Sequence, residues 1–409
     1  MLTLRSFLTE STNAHMEHLE DNILNGGVNG ARQTINFLQS LRDMLSGKSE
    51  RSVNVSVKWD GAPAVFAGVD PVDGKFFVAK KSIFNTEPKV YKTEAEVDAD
   101  TSGDLSTKLK LALRMLPDLG IKSGVYQGDF LFSDSDLKTE KIDGEEYITF
   151  HPNTIVYAVP VGSKLAKTIQ KSKIGIVWHT TYTVGSTLKD LKASFGKSIA
   201  SKLKTSSQVW SVDAEYKDLS GKATMTADET KMITGHLSLA GKVFKKIPAA
   251  ALNQIANDEE FRTRMKAFMN TYIRQGKKFP SPQIMTRQLA NYIDQYYQKE
   301  IDKKKTPKAK AGWEEKRKLA MKPLSNPIAL QNIFTLMQHI IDAKQIIVNK
   351  MNQAAQTRTF LKTKTGWRVT GEEGYVAIDH VGKQAVKLVD RLEFSTANFG
   401  ADVLKGWQR

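Results

Sequence analysis

The sequence predicts an α+β protein: a β domain of mostly antiparallel sheets, split by a large helical insertion and preceded by a short helical segment. Three observations carry this. Period-two β-branched and aromatic runs fill residues 51–185 and return after 358; helical periodicity dominates between them; and residues 1–50 carry helix-start and helix-stop chemistry. The expected units are 1–50, an N-terminal helical segment; 51–185 with 358–409, one split domain; and 186–357, the insertion, expected to be a nucleic-acid-binding module.

In the first unit, a Thr/Ser-rich cap region at residues 9–12 starts an amphipathic helix that runs to Leu24. Asn25-Gly26-Gly27-Val28-Asn29-Gly30 breaks it, because glycine tolerates positive φ, and a second helix covers 31–45. The glycines are not followed by the Lys-Ser/Thr of a phosphate loop. Strands are expected at 53–57, 64–67, 75–79, 124–126, 147–150, 154–159 and 174–178, with turns at Asp73-Gly74 and Asp143-Gly144 and one helix near 105–116. Insertion helices are expected at 228–256, 259–276, 282–301 and 327–355. The lysine-rich stretch 299–318 reads as a solvated linker or helix face, or as a phosphate-contacting arm. Tyr292, Tyr296 and Tyr297 beside it suit packing or base stacking. Strand texture returns at 358–363, 367–369, 375–378 and 385–389.

Sixty Lys and Arg against 44 Asp and Glu give a net charge of +16, which favours a polyanionic partner such as nucleic acid. With no cysteine, disulfides, thiolate metal sites and cysteine nucleophiles are excluded. No apolar run is long enough to span a bilayer, and the first residues lack a signal-peptide core, so a cytoplasmic location is expected. The seven histidines form no metal-ligand spacing, and His15 and His18 read as packing or surface residues.

Lys58 ends an apolar run and is followed by Trp59-Asp60-Gly61. Read by itself this is a strand entering an Asp-Gly turn with a solvated lysine. A lysine that attacks a nucleotide phosphate must be neutral, with metals and cations on the triphosphate, acids to hold them and an aromatic or apolar wall for the base. The chain offers candidates for each. Asp129 lies between apolar residues in Gly124 to Phe132, Glu372 and Glu373 precede an apolar strand, and Lys387 stands alone among Ala, Val and Leu.

These residues resemble the covalent nucleotidyltransferases: DNA ligases, RNA ligases and mRNA capping enzymes. Lys58-Trp59-Asp60-Gly61 is similar to motif I and Gly128-Asp129-Phe130 to motif III. Residues 174–179 resemble motif IIIa, Glu373-Gly374-Tyr375-Val376-Ala377 motif IV, and Val386-Lys387-Leu388-Val389 motif V, all in family order. The wording of motif IV and of residues 150–157 leans towards the phage tRNA-repair type of RNA ligase, from a tailed phage.

The resemblance implies a ligase-type nucleotidyltransferase domain using ATP and Mg²⁺ or Mn²⁺, acting on RNA ahead of DNA. Lys58 would take the AMP, with Asp60 orienting it or its leaving group. Asp129 would contact the ribose or a metal, Glu373 would hold the metal, and Lys387 would touch the α-phosphate. Trp59, Gly61 and Lys81 would border the nucleotide. Trp178 would stack on the base, with Tyr157 or Trp59 as alternatives. A nick-sealing DNA ligase, a capping-type guanylyltransferase and a decayed fold serving nucleic-acid binding or phage assembly are the other readings. Ala62, Asp129 and Val389 depart from the family pattern, Val389 replacing a second lysine for which Lys383 or Arg391 is a substitute.

Overall fold

Period-two segments become strands and 3.6-period segments become helices in the computed structural model, which describes residues 18–48, 53–195, 198–215, 224–353, 355, 357–379 and 384–407. The described residues open with α1 (Asp21–Leu45), followed by β1 (Val53–Val57), β2 (Ala64–Val69) and β3 (Phe76–Ala79). Next come α2 (Glu94–Asp100), α3 (Gly103–Met115), β4 (Val125–Ser133), β5 (Lys138–Ile142), β6 (Glu145–Phe150) and β7 (Ile155–Pro160). Then α4 (Lys164–Lys171), β8 (Ile174–Thr183), β9 (Lys192–Phe195) and β10 (Val209–Asp213) lead into the helical body. That body is α5 (Ala227–Phe244), α6 (Ala249–Asn257), α7 (Glu259–Arg274), α8 (Pro282–Asp302), α9 (Pro307–Met321) and α10 (Pro327–Asn352). The chain closes with β11 (Arg358–Thr363), β12 (Gly366–Val369), β13 (Tyr375–Asp379), β14 (Gln384–Leu388) and α11 (Arg391–Phe399). The α+β class is as expected, and no helix among the described residues is long and apolar enough to cross a membrane.

The strands form three sheets ordered β1-β13-β14, β10-β8-β4-β2-β3 with β9 beside β8, and β12-β11-β7-β6-β5. Pairing is antiparallel except for β8 with β10. The first sheet joins the two ends of the β-rich sequence: Val57 pairs with Tyr375, and Val376 pairs with Lys387. Its inner face, with Val55, Tyr375, Ala377, Val386 and Leu388 buried, shares one apolar core with α1 and the helical body. Each large side chain buried there contributes about 1.5–3 kcal/mol.

This packing redraws the expected units. Residues 21–45 are not a separate segment, because Ile23, Leu24, Phe37, Leu38 and Leu41 belong to the helical core. The insertion also begins later than residue 186: β9 and β10 extend the sheet of β4 and β8, and the helices start at Ala227. Two helix boundaries have local causes. The helix expected over 228–256 is broken at Pro248, which has no N–H to donate and extended backbone (ψ 130°). The basic stretch folds as α9, started by Pro307 and by Thr306, whose Oγ1 accepts the Ala309 N–H at 3.3 Å. The glycine-rich break near residue 26 is a kink within α1, where Gly27 takes φ 56° against Asn253. The cap region at 9–12 lies outside the described residues.

Candidate functional site

Strand alternation builds the centre of the site. Ser56 pairs with Val376, and Val376 with Lys387, so these three share the sheet face opposite the helical core. Lys58, two residues beyond Ser56, continues on that face, and its backbone N–H donates to Gly374 O at 2.8 Å. Its Nζ forms an ion pair with Glu373, whose side chain is 11% exposed. Burial pushes the Glu373 carboxyl above its ordinary range, against the pull of Lys58 and Lys387. Burial, and then the Lys58 charge, push Lys387 below the usual lysine value. Its Nζ stands 4.9 Å from the centre of the Phe394 ring. Lys58, Glu373 and Lys387 are thus brought together.

Asp60 has another occupation. Its carboxylate accepts from Asn153 Nδ2 at 2.6 Å and from the backbone N–H groups of Thr154 and Ile155 at 2.6 and 2.7 Å. Its own N–H donates to the Tyr157 hydroxyl at 2.7 Å. Both oxygens accept from the start of β7, so Asp60 fastens the segment after Lys58. Trp59 packs against Tyr157 and Trp210, with ring centres 4.9 and 6.1 Å away. Gly61 lies against Asp129 in β4 and turns no hairpin.

Asp129 and Glu373 do not meet as a metal pair. Asp129 faces His179 Nε2 at 3.7 Å and has no contact with Lys58 or Glu373 among the described residues. Trp178, expected on the base, is 1% exposed within the core beneath β4 and β8. Its Nε1 donates to Ser211 Oγ at 2.8 Å, leaving no face for a ligand. Tyr157 is equally buried, which leaves Trp59 as the half-buried aromatic of the three. Lys81 is exposed, two residues past Ala79, at the sheet end that carries Ala64 and Asp129. Val389 is buried at the place of the second lysine. Arg391 does not replace it, being paired with Glu20 at 2.9 Å and Asp21 at 2.5 Å. Lys383 lies outside the described residues.

Sequence reasoning noted Glu372 beside Glu373 without giving it a role, and missed three further neighbours. Glu372 receives Thr357 Oγ1 at 3.4 Å, while its Oε2 is buried without a hydrogen-bond partner among the described residues. Burial pushes this carboxyl up to about 8. Lys405 Nζ donates to Thr154 Oγ1 at 2.9 Å and to Ala397 O at 3.0 Å, beside the strand start that Asp60 holds. Lys108, buried on α3, reaches Ala62 O at 3.4 Å; it interrupts the apolar stripe of Leu105, Leu109 and Ala112, a signal visible in the sequence. Glu20 pairs with Lys344 at 2.8 Å and with Arg391, and those cations hold its carboxyl well below the usual range. This buried network underlies β14, since Leu19 N–H donates to Lys387 O at 3.3 Å.

Asp60, Thr154, Thr370, Glu372, Glu373 and Glu393 line a cleft of about 240 Å³, part of it open to solvent. Glu393 accepts the Thr370 hydroxyl at 2.9 Å and the Gly371 N–H, holding the segment that leads to the two glutamates.

The profile of a family of unknown function, DUF6267, matches residues 13–402. The chain belongs to DUF6267. No curated protein and no solved structure matches it. The match spans the β-rich segments and the helical body alike, so in this DUF6267 chain the matched region contains Lys58, Glu373 and Lys387 together with the helices packed behind them.

Proposed function

We propose that this chain is an ATP-dependent polynucleotide ligase, acting on RNA ahead of DNA, with Lys58 as the nucleophile. The observation that carries the reading is that Glu373, just before β13, meets Lys58 at the sheet face that bears Lys387, where Ser56 and Val376 pair across 320 residues of chain. A carboxyl raised by burial and paired with an ammonium is suited to take its proton. Glu373 would accept the Lys58 proton as Nζ attacks the α-phosphorus of ATP; the N–P bond forms, the Pα–O bond breaks and pyrophosphate leaves. Lys387 would neutralise the α-phosphate. An RNA 5′-phosphate oxygen would next take the adenylate from Lys58, and a 3′-hydroxyl would then displace AMP and close the strand.

Glu372 Oε2, beside Glu373 and without a hydrogen-bond partner among the described residues, would accept a hard cation that displaces the carboxyl proton. Glu372 and Glu373 would hold Mg²⁺ or Mn²⁺, which supplies charge neutralisation on phosphate when bound. The enclosed part of the cleft, about 10 Å³, has room for about one water, so nucleotide entry requires the cleft to widen. For the polynucleotide, α9 offers a basic face. Lys304 and Lys316 each lie 4.7 Å from the centre of the Trp313 ring, beside exposed Lys308, Lys310 and Lys318. Tyr297, by contrast, is a core residue whose hydroxyl donates to Glu260.

Incubation with α-labelled ATP tests the reading. Acid-stable label on the protein is expected, lost in Lys58→Ala and Glu373→Gln. Absence of label from ATP, GTP and NAD on the wild-type protein overturns it. A second reading, a nucleotidyltransferase-like fold retained for nucleic-acid binding alone, draws on buried Val389 and buried Trp178. Nucleic-acid binding indifferent to Lys58→Ala, Glu373→Ala and ATP would favour that one.

A further inference from the structure

The helical body brings together three side chains that sequence spacing did not connect. His236 projects from α5, and His339 and Asp342, three residues apart, project from one face of α10. His236 Nδ1 is 3.5 Å from His339 Nδ1 and 3.7 Å from Asp342 Oδ2, and the three ligand atoms all lie within 4.8 Å of one another. Tetrahedral zinc, bound at about 2.0–2.2 Å, sets its ligand atoms about 3.4 Å apart, so two of these edges already have the required length. His236 Nδ1 thus faces the second imidazole and the carboxylate oxygen at once, a convergence that packing two helices does not require.

The surroundings agree with ligation. Gln338 Nε2 donates to Asp342 Oδ1 at 2.8 Å, which fixes the carboxylate and leaves Oδ2 towards His236. All three residues are half-buried, so an ion has access from solvent. Two nitrogens and one carboxylate oxygen select a late first-row ion over Mg²⁺ or Ca²⁺.

We infer that His236, His339 and Asp342 form a Zn²⁺-type site that staples α5 to α10, with a fourth position left for water or a ligand. This site is independent of the nucleotide chemistry, because none of its residues belongs to the Lys58 cluster.

The test uses the full chain stripped with a chelator and titrated with Zn²⁺, then with Co²⁺ as a spectroscopic probe. Expected results are one equivalent of Zn²⁺ bound, a rise in Tm on adding Zn²⁺, and the intense visible bands of four-coordinate Co²⁺. His236→Gln, His339→Gln and Asp342→Asn should each weaken Zn²⁺ binding at least tenfold and abolish the Tm response. If a variant fails to fold, the wild-type stoichiometry and Co²⁺ spectrum decide alone. Wild-type protein that binds no stoichiometric Zn²⁺, shows only octahedral Co²⁺, or binds as the variants do overturns the assignment.

Discussion

Gly61 and Asp129 touch across two segments that the sequence keeps far apart. A Cβ on Gly61 would stand 2.5 Å from Asp129 Cβ, with Leu131 Cδ2 at 3.0 Å and Phe130 O at 3.1 Å. The glycine after the Lys58-Trp59-Asp60 sequence is therefore required by a close approach to β4. Gly61→Ala is expected to lower stability by about 1–3 kcal/mol through overpacking. Urea melts measure it, and an unchanged midpoint would show that the two segments separate freely.

The Glu20–Lys344–Arg391 network should be sensitive to the loss of one cation. Lys344 and Glu20 are 2% and 1% exposed in their side chains, so Lys344→Met leaves a carboxylate out of water with Arg391 as its remaining close cation. A loss of about 3–5 kcal/mol is expected. Combining it with Glu20→Gln should recover part of that loss. Strict additivity of the two substitutions in denaturation experiments would sink the idea of a coupled network.

Glu372 predicts a pH dependence. Its folded value, about 8, lies above the ordinary 4.5, so between these limits the native state holds a proton that the unfolded chain has released. Its stabilising contribution is full below about pH 4.5 and is lost as pH rises through 8. Glu372→Gln should therefore gain on wild type as pH rises, by at most about 5 kcal/mol at pH 8.5. A difference independent of pH, in urea melts at pH 5 and 8.5, would contradict this. His18 acts in the opposite direction. Burial holds it down to about 3, so its contribution is present above pH 6.5 and is lost as pH falls towards 3.

Trp178→Phe separates a core role from a ligand role. The indole N–H to Ser211 is lost, at a cost of about 1–2 kcal/mol, while adenylate labelling of the folded variant should match wild type. Labelling lost from a variant with wild-type circular dichroism would return Trp178 to the nucleotide.

Much of the fold was legible. The runs at 53–57 and 358–363 became β1 and β11 without a shift, because alternating β-branched residues meet a partner of the same period. Helix α11 was missed because its start signal is an Asp390 cap rather than periodicity; that carboxylate accepts the Leu392 N–H at 2.9 Å. Within the site, Lys58 and Lys387 were legible as lone charges at the end or centre of apolar strands, and Glu373 as one of two acids before such a strand. The commitments of Asp60 and Trp178 were not, since they depend on Ile155 and Ser211, which only tertiary contacts bring near. His236 and His339 lie on separate helices, and nothing in local spacing announces their meeting.

The sheet that joins β1 to β13 and β14 has a consequence for synthesis. Ser56 Oγ donates to Val376 O across 320 residues of chain. At about 5–20 residues per second a ribosome needs roughly 15–60 s to make that stretch. Through that interval β1 lacks both its sheet partner and the lysine of β14, so Lys58 remains without its carboxylate until the last strands emerge. Assembly of this centre waits on translation: the ion pair of Lys58 cannot form until nearly the whole chain has been made.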